Sequence, residues 1–142
     1  MATERAPWFV RNVGRLVELR FEGGLERADM STFRLQAATN MLSVPGRVVF
    51  LSDLRKLDLL DQVVFDNLVE MLRTDNPKVE RNAMIVGTAS SVAMQLERLV
   101  VQAGHPGRRV FRSAGAAVRW IEEVLSAEEI TRARVFLGVS AD

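Results

Sequence analysis

Three carboxylates, Asp53, Asp58 and Asp61, fall close together in the stretch Arg47 to Leu72. Two carboxylates can share acid and base work only where their surroundings pull their pKa values apart, and the sequence places no partner group beside these that would do so. Catalysis is therefore not expected of them. Two other roles suit their position: bonding the free backbone amides at a helix start, worth about 1 kcal/mol per cap, or meeting a protein partner at an exposed loop. A second group, Gly87-Thr88-Ala89-Ser90-Ser91, puts hydroxyls at the opening of another helix, whose free amides can hold a phosphate or carboxylate. It lacks the second glycine and the lysine of a phosphate-binding loop, which argues against nucleotide hydrolysis. Thr88 or Ser90 reads as a helix cap; the functional alternative is that Thr88, Ser90 or Ser91 binds an anion or is itself modified. His105 is the single histidine and sits in the turn-like Gly104-His105-Pro106-Gly107, where it is expected to be exposed and structural. With no cysteine and no second histidine, no metal site and no cofactor are expected.

These groups must be positioned by the elements around them. Val48 to Leu51 is a short, continuous apolar run, the pattern of a strand buried on both faces. Helical spacing follows, with Leu60, Val64, Leu68, Met71 and Leu72 on one stripe that stops before Asn76-Pro77. Asp53 thus lies after the strand and Asp58 and Asp61 at the helix start, where an α/β sheet usually presents its working surface. Upstream, Trp8 to Val13 and Leu16 to Phe21 read as an antiparallel hairpin turning at Asn12-Val13-Gly14-Arg15, and Met30, Phe33, Ala37 and Met41 mark a first helix. Downstream, Ala83 to Val86 is a strand, followed by a helix bearing Val92, Leu96, Leu99, Val100 and Ala103 and ending at Gly104. Arg109 to Phe111 is a last strand, and Ser113 caps a helix carrying Ala114, Ala117, Val118, Ile121, Val124 and Leu125. Ser126 and Glu129 have the form of a capping box for a helix from Ala127 to about Phe136. Strands separated by single helices call for parallel pairing with right-handed crossovers. The expected fold is therefore α/β, with a mixed sheet of about five strands, an N-terminal antiparallel hairpin and helices packed on the sheet.

The 142 residues match one compact domain, here expected to have a core of residues 8–125 and a C-terminal helical extension over 126–142. The apolar Ile130, Val135, Phe136, Leu137 and Val139 must dock somewhere, either on the domain itself or, as slightly favoured, across a homodimer contact. Nineteen basic and eighteen acidic side chains leave a net charge of +1, so no strong field is available for nucleic acid. Arg108, Arg109, Arg112 and Arg119 form a local basic group that suits either solvent or an acidic partner, while Trp8 and Trp120 read as packing groups. The absence of cysteine agrees with a reducing cytoplasm, and no apolar run is long enough to span a membrane. Arginine far outnumbers lysine, as in GC-rich bacterial genomes.

In this order of elements, Asp53-Leu54-x-x-Leu57-x-x-Leu60-Asp61 resembles the signature of STAS domains, the anti-sigma-factor antagonist fold. Arg109-Val110-Phe111-Arg112-Ser113, followed by Ala117, Trp120 and Ile121, is similar to the end of the SpoIIAA-like branch. The resemblance spans roughly Val13 to Leu125. In its phosphorylated members, the aspartate matched by Asp61 is followed by two serines, the second being the phosphoacceptor, and then glycine. Here Gln62, Val63 and Val64 follow, and none of them can accept a phosphoryl group. The resemblance implies a non-catalytic bacterial regulatory or adaptor domain that binds a protein through residues 53–65, with Asp53, Asp58, Asp61 and Gln62 as contacts. The alternative is a small-ligand or lipid-binding domain with a pocket between sheet and helices.

Overall fold

The computed structural model describes residues 7–140. Strands β1 (Trp8–Val13), β2 (Leu16–Gly23), β3 (Val48–Leu57), β4 (Val79–Val86) and β5 (Arg108–Phe111) form one sheet in the order β1-β2-β3-β4-β5. The β1–β2 pair is antiparallel and the other three pairs are parallel. Helices α1 (Met30–Leu42), α2 (Gln62–Asp75), α3 (Ser90–Ala103), α4 (Ala114–Glu122) and α5 (Ala127–Leu137) complete the α/β fold. The mixed five-stranded sheet and its opening hairpin are as the sequence leads one to expect.

Side chains alternating along β3 sort the molecule into layers. Leu54 joins the large cluster under α1, α2 and α3, with Phe50 in a smaller cluster at the same face's lower end. Val49 and Leu51 point the other way and pack with Leu16, Ala83 and Ile85 against Ala117, Val118 and Ile121 of α4 and Ala133, Phe136 and Leu137 of α5. Three helices therefore cover one face and two cover the other, which is why β3 is apolar on both sides.

Besides β4, which begins at Val79 rather than Ala83, the ends of the fourth helix and of β3 differ from the sequence reading. Strand β3 runs to Leu57 rather than stopping near Leu51, so Asp53 lies within it. Its polar residues hid that extension, since a carboxylate interrupts an apolar run even when arginines compensate it. The fourth helix ends at Glu122, leaving Val124 and Leu125 in the turn before α5.

The C-terminal segment packs Ala133, Phe136 and Leu137 on its own domain, while Val135 stays exposed. Three polar ties reinforce the apolar contact. At the start of α5, Ser126 and Glu129 form the expected capping box, and Glu129 Oε2 also accepts the backbone N–H of Arg15 at 2.8 Å. Gly14 allows this approach: its φ is +59°, and a Cβ there would lie 2.4 Å from Glu129 Oε2. In the middle, Arg132 donates to the buried Glu18 at 3.1 Å, alongside Arg11 at 2.6 Å. At the end, Arg20 and Arg55 donate to the carbonyls of Phe136 and Leu137. These carbonyls belong to the negative end of the helix dipole, which cations stabilise.

Candidate functional site

The chain turns from β3 into α2 through Asp58, Leu59 and Leu60, and this corner is held at several points. Asp58 donates its backbone N–H to the carbonyl of Gly23 at 2.9 Å. The Gln95 side-chain amide of α3 grips Leu60 twice, accepting from its N–H and donating to its carbonyl, both at 2.8 Å. The Leu60 side chain is buried in the same cluster as Phe65, which packs the residue before the helix cap with one in the first helical turn. Asp61 is the N-cap: Oδ1 accepts the N–H groups of Val63 and Val64 at 2.8 and 3.1 Å, and Oδ2 accepts Arg27 Nε at 2.9 Å. The backbone hydrogen bond from Val64, and then the Arg27 guanidinium, hold the Asp61 carboxyl below its ordinary range.

This frame leaves a defined surface in water. Leu59 is 59% exposed and Val63 is 42% exposed, while Asp58 and Gln62 beside them are also exposed. Gln62 donates to Asp66 at 2.9 Å along the helix face. Among the expected site residues, Asp58, Asp61 and Gln62 are brought together here. Asp53 is not: it is 5% exposed, on the strand face turned toward α5, paired with Arg20 at 2.9 Å and with Arg55 at 2.9 Å. Burial pushes the Asp53 carboxyl up, but its bonds to Arg55 and Arg20 outweigh that and hold it below the usual carboxylate range. Leu59 and Val63 escaped the sequence reading, although both fall off the apolar series 54, 57, 60, 64 and 68, which was the available signal.

The hydroxyl-bearing loop is arranged differently from expectation. Ala89, not Thr88 or Ser90, is the N-cap of α3, and it makes no side-chain capping bond. Thr88, Ser90 and Ser91 are all exposed. The loop's path is set by Gly87, where a Cβ would meet the backbone carbonyl oxygen of Arg55 at 2.4 Å. His105 is half-buried rather than exposed: its Nε2 bonds the carbonyl of Val79 at 2.7 Å and its Nδ1 accepts from Gly107 at 2.8 Å, a structural tie across the turn.

The basic group separates. Arg108 is buried and donates to Asn76 Oδ1 at 2.9 Å and to the Leu72 carbonyl at 3.1 Å. Burial pushes its pKa down to about 10, against the opposing charge of Asp75. Arg109 lies over the Trp120 ring, 4.8 Å from its centroid, while Arg112 and Arg119 are exposed. Trp8 is buried and donates its indole N–H to Gln36 at 2.7 Å; Trp120 is half-buried against Phe111. Between the sheet and α1, α2 and α3 lies an apolar cavity of about 70 Å³, bordered by Phe33, Phe50, Leu68 and Met84, with Asp75 and Arg108 among its walls. Among the described residues, no group of His, Asp or Glu is arranged to hold a metal ion, and no helix is long and apolar enough to cross a membrane.

No family model matches the chain, and neither does any curated protein. Solved structures do. An uncharacterized protein of the DUF3478 family with a SpoIIAA-like fold, from Shewanella loihica PV-4, superposes with a TM-score of 0.62 at 15% identity, covering 84% of this chain and 98% of that one. The anti-sigma factor antagonist SpoIIAA in its unphosphorylated form superposes with a TM-score of 0.58 at 15% identity, covering 84% of this chain and 99% of that one. At this identity the likeness is one of fold: the chain has the SpoIIAA-like, STAS-type fold.

Proposed function

We propose that this SpoIIAA-like domain is a non-catalytic regulatory or adaptor module of the bacterial cytoplasm, which binds a protein partner through the corner between β3 and α2. One observation carries the reading: two aliphatic side chains, Leu59 and Val63, stand in water on a backbone that Gln95, Gly23 and the Asp61 cap hold rigid. Exposed apolar groups on a pre-ordered frame bind at low entropic cost, and their polar rim sets orientation. Here the rim is Asp58, Asp61 and Gln62, with Asp66 one turn on, so the partner surface is an apolar hollow edged by basic groups. Asp53 contributes indirectly, by holding the end of α5 through Arg20 and Arg55.

The resemblance puts the phosphoacceptor of switched members at Val63. A valine there supplies apolar contact that no kinase can convert to charge, so binding through this corner is not switched off by phosphorylation at that position. Affinity capture with the full chain, compared with Leu59→Glu and Val63→Glu, tests the assignment. A discrete protein retained by the native chain and lost with both variants, each still folded by circular dichroism, is the expected result. A complex that survives both substitutions unchanged would remove the corner from consideration.

The second reading, a small-ligand or lipid site, would have to use the cavity beneath the helices. At about 70 Å³ it is well below the roughly 300 Å³ at which ligand pockets begin, so α1 or α2 would have to move outward to admit one. Native mass spectrometry of freshly purified protein discriminates the two, since a retained apolar ligand would favour the cavity.

A further inference from the structure

Helix α3 buries Val92, Ala93, Leu96, Leu99 and Ala103 and turns a second face to water. On that face Met94 is 62% exposed and Val101 is 78% exposed, seven residues apart and therefore two turns along one stripe. Between them lie Glu97 and Arg98, both exposed. Among the described residues neither makes a hydrogen bond or ion pair, although many of the chain's other charges are paired across elements. The Arg98 guanidinium is also steadied, its carbon lying 5.1 Å from the centroid of the Phe65 ring. A shallow depression follows the same surface, lined by Met94, Glu97, Arg98, Val101 and Gln102.

The arrangement reads the same in both directions. Met94 and Val101 are equidistant from the midpoint between residues 97 and 98, and across that midpoint Glu97 mirrors Arg98. A twofold axis through the midpoint lays two such helices antiparallel, with Met94 against the partner's Val101 and Glu97 against the partner's Arg98, each contact occurring twice. A surface complementary to itself in both apolar and charged positions is what an isologous contact requires. We infer that α3 is a self-association face and that its partner is a second copy of this chain. Charge selects the occupant: an apolar partner would leave both Glu97 and Arg98 unanswered and a uniformly charged one would repel one of them, whereas a second antiparallel copy answers both.

A fourteen-residue helix is only about 21 Å long. The contact it makes falls in the small interface class, so the dimer is a weak one, forming at high concentration. The face is separate from the β3–α2 corner residues assigned above, and the inference stands without that assignment.

Sedimentation equilibrium of the full chain over a concentration series up to about 1 mM reads the association directly. The weight-average mass is expected to climb from 15.9 kDa toward the dimer value. Glu97→Arg and Arg98→Glu each create two like-charge contacts per dimer and should weaken association by at least about tenfold, with an unchanged melting curve for Glu97→Arg and a small shift for Arg98→Glu, which also gives up its contact with the Phe65 ring. The double variant restores both pairs and should restore the dimer, and an equimolar mixture of the two single variants should form a heterodimer. A monomer at every concentration would overturn the inference. So would single variants that associate like the native chain, or a double variant and a mixture that remain monomeric.

Discussion

Asp53, inside β3, and Asp61, at the start of α2, are carboxylates that perform different tasks. A cap at Asp58 or Asp61 was legible, because a carboxylate just before a helical stripe has free amides within reach whatever the rest of the chain does, and the structure gives the role to Asp61. The partners of Asp53 were not legible, because Arg20 reaches it only through the parallel pairing of β2 with β3, in which Arg20 and Asp53 are register partners. Asp53→Asn keeps the shape and removes the charge, leaving two arginines short of an acceptor. Charge-assisted hydrogen bonds are worth roughly 2 kcal/mol each, and the partial exposure of both arginines reduces that, so a loss of about 1 to 3 kcal/mol is expected near neutral pH. The sign of the pH dependence follows from a folded pKa held below the unfolded one. The contribution is fully present above the ordinary aspartate value of about 3.9 and disappears as pH falls through the lower folded value. Melting temperatures of the native chain and the Asp53→Asn variant, measured from pH 7 downward, should therefore begin to converge only below about pH 4; a gap that has already closed well above pH 4 would mean the carboxylate's charge is not what stabilises the fold.

At the scale of elements, the corner depends on Leu60. The sequence stripe assigns it to the helix; the structure places it just before the cap, buried all the same, because the apolar residue preceding a cap packs back on the first turn. Leu60→Asp puts a carboxylate into the apolar cluster that holds Leu57, Phe65 and Leu96. A penalty of several kcal/mol is expected, a large part of the roughly 5 to 15 kcal/mol that usually holds a domain together. Thermal or urea unfolding checks it, and a near-native midpoint would mean that the corner can turn Leu60 outward. Helix α3 carries the opposite lesson. Its buried face was legible from spacing, whereas Met94 and Val101 are exposed because no element among the described residues packs over them.

At the scale of the molecule, α5 decides how the second sheet face is covered. Ala133, Phe136 and Leu137 are buried against the sheet and α4, with polar ties to the first turn, to β2 and to β3. Full burial of a large apolar side chain is worth about 1.5 to 3 kcal/mol, so removing Phe136 and Leu137 alone takes away a sizeable share of typical net stability. Truncation after Ser126 should thus give a chain that melts far below the native one and binds a hydrophobic dye at its uncovered face. A truncated chain with native stability would show that α4 alone suffices to cover the sheet.

The sequence by itself determined the elements, their order and the mixed sheet, because hydrophobic period, caps and turn residues act over a few positions. The hairpin, a cap at Asp58 or Asp61, the Gly104 C-cap and the Ser126–Glu129 capping box were all readable in this way. Only the tertiary structure decided what depends on residues far apart in the chain. It ran β3 on through Asp53, seated Phe136 and Leu137 of α5 on its own sheet, buried Arg108 apart from its basic neighbours, and left Leu59 and Val63 in water. The physical reason is that burial is a property of what packs over a residue: a leucine's place in a local pattern says which face it is on, and the assembled layers say whether that face is covered.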